Sequence, residues 1–403
     1  MKGKFLKHLR AVTRHALRAA LVVAMLLGCD ATPSSPQSTA TDAGGDVATP
    51  PQLQFAGRVG VLDLPAQVAN AQGLTAHQSL ELPGETLAAT LISTGATGRV
   101  AVAAWRDGGG QELVAASWLA GPLAPWLCTQ GCVFRQQSRP LEQALLVPNA
   151  PRMVTLAGVH QLQALHLVEN QGQLLPAPGP MQLQVVAVRG PPLSAGRLPV
   201  NLCLTGALGW TAQNASTLPR LQQAIATATQ IMAQAQVELQ VTVREVSGAA
   251  PLVEHSSDDV ELITLFKTGA KLPLGVNVFL VEQVYTATNG VQAPITGISG
   301  GIPGPPLHMG TPGAGIAVSL ALGPGEDDRL GLAIAHEIGH FLGLFHTTEV
   351  QVSADPPLHD DLDDTPGDGQ DNLMYWAPQA GATKLSPQQG QILRNSPWVQ
   401  ALP

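Results

Sequence analysis

The chain has 403 residues, 45% of them hydrophobic, 12% charged and 4% aromatic, with a formal net charge of -8. That hydrophobic content suits a sizeable core and excludes a disordered chain, and the length suits two domains. The acidic balance excludes a nucleic-acid binder working through a basic stripe, and 42 Gly and 33 Pro without a period exclude a coiled coil or long helical repeat.

The first segment is a targeting signal rather than part of the fold. Lys2, Lys4, Lys7, Arg10, Arg14 and Arg18 precede a nine-residue apolar run, Ala19 to Leu27. That run is too short to cross a bilayer of about 30 Å. It ends in Leu26-Leu27-Gly28-Cys29, which resembles a bacterial lipobox, with cleavage before Cys29 and lipid attachment to it. The expectation is an exported protein, lipid-anchored to a bacterial membrane through Cys29. Residues 29–51, rich in Thr, Ser, Ala, Pro and Gly, read as a flexible tether. Losing residues 1–28 removes six basic groups and no acid, so the net charge moves from -8 to -14.

Residues 52–189 read as an all-β, sandwich-like domain. Short apolar or alternating runs recur between turn signals: Thr86–Ile92, Arg99–Trp105, Leu113–Trp118, Met153–Leu156, Gln163–Val168 and Met181–Val188. No titratable cluster appears in them, which favours a spacer or binding module over catalysis. Cys128 and Cys132 are close enough to pair in an oxidising compartment. Cys203 is left as a buried thiol, a partner of one of those two, or an inhibitory metal ligand.

Residues 195–403 mix periods. Pro199–Leu204, Val237–Val246, Val276–Val281 and Gly315–Leu320 read as strands, and Ser216 to Gln234 as a helix capped by Ser216. A second helix begins near Asp327, with Asp328 favouring its positive end, and runs through Leu330, Ile334, Ile338 and Phe341. Helix and strands in this order imply one mixed layer.

That second helix carries His336-Glu337-Ile338-Gly339-His340, followed by Phe341-Leu342-Gly343-Leu344-Phe345-His346. His336 and His340 are four apart and stack on one helix face, so both imidazoles can bind one zinc ion. Glu337 lies about 100° round the helix, placed to reach a water without ligating the metal. His346 can join only if the helix stops and the chain turns back. Gly343 is where that is easiest, because glycine accepts the left-handed conformation that ends helices. Three histidines leave a fourth position open, as a catalytic site requires.

The extended motif resembles the metzincin zinc endopeptidases, over about half the chain. The resemblance implies an α+β catalytic domain over 195–403, an α/β-type mixed sheet with an active-site helix, with the β-sandwich-like domain in front of it. It implies Met374, in Asn372-Leu373-Met374-Tyr375-Trp376, as the methionine of a tight turn beneath the zinc, and a last helix from Leu385-Ser386-Pro387-Gln388. It implies hydrolysis of peptide bonds in a protein or peptide substrate, with Glu337 as general base. Gly315–Leu320 resembles the edge strand that would hold an extended peptide by backbone pairing. Asp364-Thr365-Pro366 is similar to the pappalysin branch, although cysteines common in that branch's active-site region are absent. Where several relatives place a Tyr two residues after the Met, this chain has Trp376, so no Tyr ligand role is carried over.

Between Leu330 and Thr383 there are nine acids and no Lys or Arg. Oxygen clusters of this kind suit calcium, and Asp360, Asp361, Asp363 and Asp364 are candidate Ca2+ ligands beside a solvated-loop reading. Gly297-Ile298-Ser299-Gly300-Gly301 matches a nucleophile elbow, but Pro303, Pro305 and Pro306 forbid the helix that must follow. Two further readings are a lipid-anchored binding protein with an inactive metallopeptidase-like domain, and a removable inhibitory role for residues 52–189.

Overall fold

The computed structural model describes residues 50–120, 127–128, 133–151, 154, 156–171, 173–288, 291–321, 329–349, 358–365, 369–377 and 381–402. The export segment, Cys29, most of the tether, Cys132, Asp327 and Asp328 lie outside the described residues.

The first region is built from β1 (Gln54–Ala56), β2 (Val59–Asp63), β3 (Gln67–Ala69), β4 (Gln78–Leu82), β5 (Thr86–Arg106) and β6 (Glu112–Val114). A small pair, β7 (Leu127–Cys128) and β8 (Gln136–Gln137), precedes β9 (Arg139–Val147), β10 (Gly158–Asn170), β11 (Gln173–Pro176) and β12 (Gly179–Arg189). All but the small pair belong to one antiparallel sheet with the path β1-β2-β12-β5-β10-β11. The pairing does not divide these strands into two separate sheets, as a sandwich would suggest. The cause is β5, a strand of 21 residues. Its first half, Thr86 to Gly95, pairs with β12, and its second half, Arg99 to Arg106, pairs with β10. The runs Thr86–Ile92 and Arg99–Trp105 are therefore one strand. The register shifts between Thr94 and Arg99, where Gly98 at φ +69° lets the strand bend without ending.

The second region contains β13 (Gly196–Leu204), α1 (Pro219–Gln234), β14 (Val237–Glu245), β15 (Leu252–Glu254), α2 (Val260–Lys267), β16 (Val276–Val281), β17 (Gln283–Thr288), β18 (Val291–Ile295), β19 (Gly297–Ser299), β20 (Ile316–Ser319) and α3 (Leu330–Phe341). The chain ends with β21 (Thr348–Glu349), β22 (Leu358–His359), α4 (Pro387–Asn395) and β23 (Gln400–Ala401). The main sheet runs β14-β13-β16-β20-β19, with β23 pairing onto β13. Its first four strands are parallel and β19 is antiparallel. Strand β16 is buried at every position, as expected of a parallel strand covered on both faces. Strand β20 lies inside this sheet, so Gly315–Leu320 is not the edge; Gly297–Ser299 is. The hairpin β17–β18 forms a separate small sheet with β15.

Helix α1 starts at Pro219, not at Ser216, which sits in a preceding 3-10 turn. Proline at the first helical position suits a residue without an N–H, so no side-chain cap is needed. Its inner face, Leu221, Ala224, Ala228, Ile231 and Met232, packs on the sheet and on α3. Gly331 permits that packing, since a β-carbon there would stand 2.5 Å from the Ala224 carbonyl oxygen. Every residue of α3 is buried, so the helix is enclosed rather than amphipathic. Residues 190–195 link β12 to β13, and one continuous hydrophobic core runs across that link. It includes Leu91, Leu145, Leu146 and Val185 from the first sheet, with Leu202, Ile316, Ile338 and Leu393 from the second region.

Candidate metal centre

Helix α3 delivers His336, Glu337 and His340 to one place, and the end of the helix delivers His346. The last helical bonds are Leu342 N–H to the Ile338 carbonyl and Leu344 N–H to the Gly339 carbonyl, both 2.9 Å. Between them Gly343 takes φ +114°. This left-handed position turns the chain back over the helix. The ring centroids of His336, His340 and His346 consequently lie 4.6 to 5.3 Å apart. One ligand atom from each lies within 4.8 Å of the others, and the Nε2 atoms of His340 and His346 are 3.1 Å apart.

The other ring nitrogens fix which atoms are free to ligate. His336 Nδ1 meets the Leu373 carbonyl at 2.6 Å, and His340 Nδ1 meets the Leu344 carbonyl at 2.7 Å. A carbonyl only accepts, so each Nδ1 carries the proton and each Nε2 keeps its lone pair. Burial pushes the His336 imidazole down to about 3; the neighbouring His346 adds to this and the Leu373 carbonyl opposes it. Burial also holds His340 well below its ordinary value, helped by His346 and His336. Neutral imidazoles with converging lone pairs are the donor set that a borderline-soft divalent cation takes.

The Glu337 side chain lies against β19. A β-carbon on Gly297 would stand 2.8 Å from its Cγ, so glycine is what admits the carboxylate to this edge. Burial pushes Glu337 up to about 8, opposed by a hydrogen bond from the Ser299 backbone. Strand β19 pairs through Thr296 and Gly300, whose partners are Ser319 and Gly315. By the alternation of an antiparallel ladder, Gly297 and Ser299 face away from β20. Ser299 Oγ donates to the Gly301 carbonyl at 2.7 Å and lies buried in the strand, so the Gly-x-Ser-x-Gly string forms no nucleophile elbow.

Met374 lies beneath the histidines. Its sulfur stands 2.6 Å from where a β-carbon on Gly339 would be. The turn is held from both sides. Met374 N–H donates to Asn372 Oδ1 at 2.8 Å, Thr347 N–H donates to the Met374 carbonyl at 2.9 Å, and Leu373 N–H donates to the Lys384 carbonyl at 2.7 Å. Asn372 is clamped by Gln389 of α4, whose side chain also closes a capping box with Ser386. The last helix therefore fixes the turn that orients His336. Trp376 is 37% exposed.

Among the described residues, the acidic segment contributes no cluster of three ligating side chains. Among the described residues, the histidine triad is the one group of three or more ligating side chains brought together. The four aspartates are separated by their partners. Asp364 accepts from Ser386 Oγ and Gln388 N–H at the start of α4. Asp361 faces Arg135 at 3.8 Å. Asp360 accepts from Thr365 Oγ1 and Leu362 N–H, and Asp363 is exposed. Cys203 is a free, buried thiol that burial pushes up to about 12, and it belongs to no ligand group. Cys128 is disulfide-bonded. His359 meets Thr348 Oγ1 at 3.0 Å, and His308 meets Glu142 at 2.6 Å, so neither stands at the metal centre.

The solved structures similar to this chain include proteins named as a metzincin and as a metalloproteinase. Archaemetzincin from Methanopyrus kandleri is 14% identical, over 50% of this chain and 88% of that one, with a TM-score of 0.27. Metalloproteinase-II from Bacteroides fragilis is 14% identical, over 55% of this chain and 60% of that one, with a TM-score of 0.25. No family model matches the chain, and no curated protein matches it. Likeness at this level carries no argument about activity.

Proposed function

We propose that this protein is a zinc-dependent endopeptidase of the metzincin kind. The observation that carries the reading is the convergence of three imidazoles, His336, His340 and His346, with Glu337 on the helix that carries the first two. The donor set fits zinc: three imidazole nitrogens within 4.8 Å of one another, two of them on rings whose Nδ1 is held by a backbone carbonyl. Zinc held there would polarise a scissile carbonyl and lower the pKa of a bound water.

The chain's own residues do the rest. The Glu337 carboxylate takes the proton of the attacking water and passes it to the leaving amine. The Ser299 N–H orients that carboxylate. The open side of Gly297, on the sheet edge beside Glu337, offers backbone groups to an extended peptide, which is the mode of recognition a free edge supports. Burial of α3 keeps bulk water from the site.

The test is zinc content and cleavage of a mixed peptide library for wild type and Glu337→Ala. Zinc near one per chain in both, with cleavage lost about 10²- to 10⁴-fold in the variant, is the expected outcome. Equal cleavage by both would sink the mechanism, and zinc without cleavage in wild type would leave an anchored binding protein. Export and lipid attachment at Cys29 belong to the same proposal, supported by the basic and apolar run before it. The mass of the mature protein checks them.

A further inference from the structure

Strand β9 belongs to the first sheet, yet side chains on it and just before it reach the second region at each part of the candidate site. Glu142, 1% exposed, meets His308 Nδ1 at 2.6 Å and accepts the Gly313 N–H at 2.8 Å. The other nitrogen of His308 meets Gln184 of β12 at 2.9 Å. Arg139 donates to the Gly300 carbonyl at 3.1 Å and pairs with buried Asp259 at 3.1 Å. Leu146 packs 3.0 Å from where a β-carbon on Gly343 would stand. Arg135 donates to the His359 carbonyl and lies over the Phe345 ring, next to His346.

Two of these contacts hold opposite ends of residues 300–315, the loop that joins β19 to β20. That loop has six Gly and four Pro in sixteen residues. Glycine leaves the backbone many conformations and proline removes donors, so the loop needs anchors from outside to keep one shape. Glu142 and Arg139 supply them as charge-assisted bonds in a buried setting. The other two contacts press on the turn at Gly343 and on the loop of the third ligand.

We infer that the first region is a permanent brace of the peptide cleft, and that Glu142 is a positioning residue which keeps β19 seated against Glu337. This inference rests on the peptidase reading only for what the cleft binds. A segment made to be shed would sit on the site and part cleanly. Here parting would bare the shared core at Leu146 and break the bonds of Glu142 to His308 and Gly313.

Hydrogen exchange and steady-state kinetics on the full chain test it. In Glu142→Ala, exchange over residues 297–319 should quicken about tenfold or more, while β12 stays as in wild type. KM for an oligopeptide should rise about tenfold and kcat should fall with it, since Ser299 orients Glu337, while zinc content stays within about twofold. Glu142→Gln keeps an acceptor for the Gly313 N–H, should fall between the two, and serves if Glu142→Ala does not fold. Unchanged exchange over 297–319 in a folded variant overturns the inference, as does unchanged KM. A protease site inserted after Pro192 gives a second reading: the cut pieces should stay together and stay active. Activity that rises as the first piece leaves would make that piece an inhibitor, not a brace. If wild type cleaves no peptide, the proposed function fails, while the exchange data still decide the brace.

Discussion

The two regions solve opposite problems with the same core. The first is a single antiparallel sheet without a converging group of ligating side chains among its described residues. The second is a mostly parallel sheet whose buried helix, with the turn that follows it, holds the candidate chemistry. Charged side chains of the first region, Arg135, Arg139 and Glu142, turn toward the second rather than toward water. Reactive groups therefore sit on one scaffold, and the loops around them are set by another.

Changes confined to one region should separate these roles. The largest effect is expected from His346→Ala, which removes one of three ligands: zinc stoichiometry and cleavage should both collapse, with the first sheet's exchange protection retained. Next, Leu146→Ala in the first sheet should destabilise both regions together by about 2–5 kcal/mol, as large-to-small core changes do. Because the core is continuous, denaturant unfolding followed by tryptophan fluorescence and by circular dichroism should give one shared transition. Two separate midpoints would break the comparison. Gly339→Ala forces a β-carbon against the Met374 sulfur and should cost about 1–3 kcal/mol, read as a lower Tm with reduced zinc retention.

The smallest effect lies at the seam. Burial pushes the Asp360 carboxyl up to about 7, against the pull of Thr365, the Leu362 N–H and Arg135. The folded chain thus holds a proton that the unfolded chain, with an ordinary aspartate near 4, has already lost. Stability from this group therefore falls as pH rises from about 4 to about 7 and is flat above that. Asp360→Asn should remove that slope and be at least as stable as wild type at pH 8, by about 1–2 kcal/mol. A steeper slope in the variant would reverse the assignment.

The metal ligands were legible because their geometry is local. A spacing of four on a helix and a glycine before the third histidine are complete statements within eleven residues, and Met374 followed from the resemblance. Parallel strands such as β16 were equally plain as unbroken apolar runs. Strand β9 was not seen, since Arg139, Pro140, Glu142 and Gln143 look like a solvated stretch. Their partners are 120 to 171 residues away, at Asp259 and Gly313, and no window along the sequence contains both ends. The edge strand was misplaced by one position in the sheet for a related reason. Gly297-Ile298-Ser299 has too little side chain to declare itself a strand, and only the register with β20 reveals it. The acidic segment misled in the other direction, because helix capping and Arg135 of the first region disperse charges that sequence placed together.

The tight seat of Met374 carries a consequence for chemical durability. Its sulfur is fully enclosed and already abuts Gly339, so the extra oxygen of a sulfoxide has nowhere to go while the turn is closed. Peroxide should reach Met374 only when the segment around Asn372 and Thr347 opens. The rate of sulfoxide formation at Met374 then becomes a clock for that opening. Inactivation by oxidant would follow how often the floor beneath the histidines lifts, rather than how much oxidant is present at the surface.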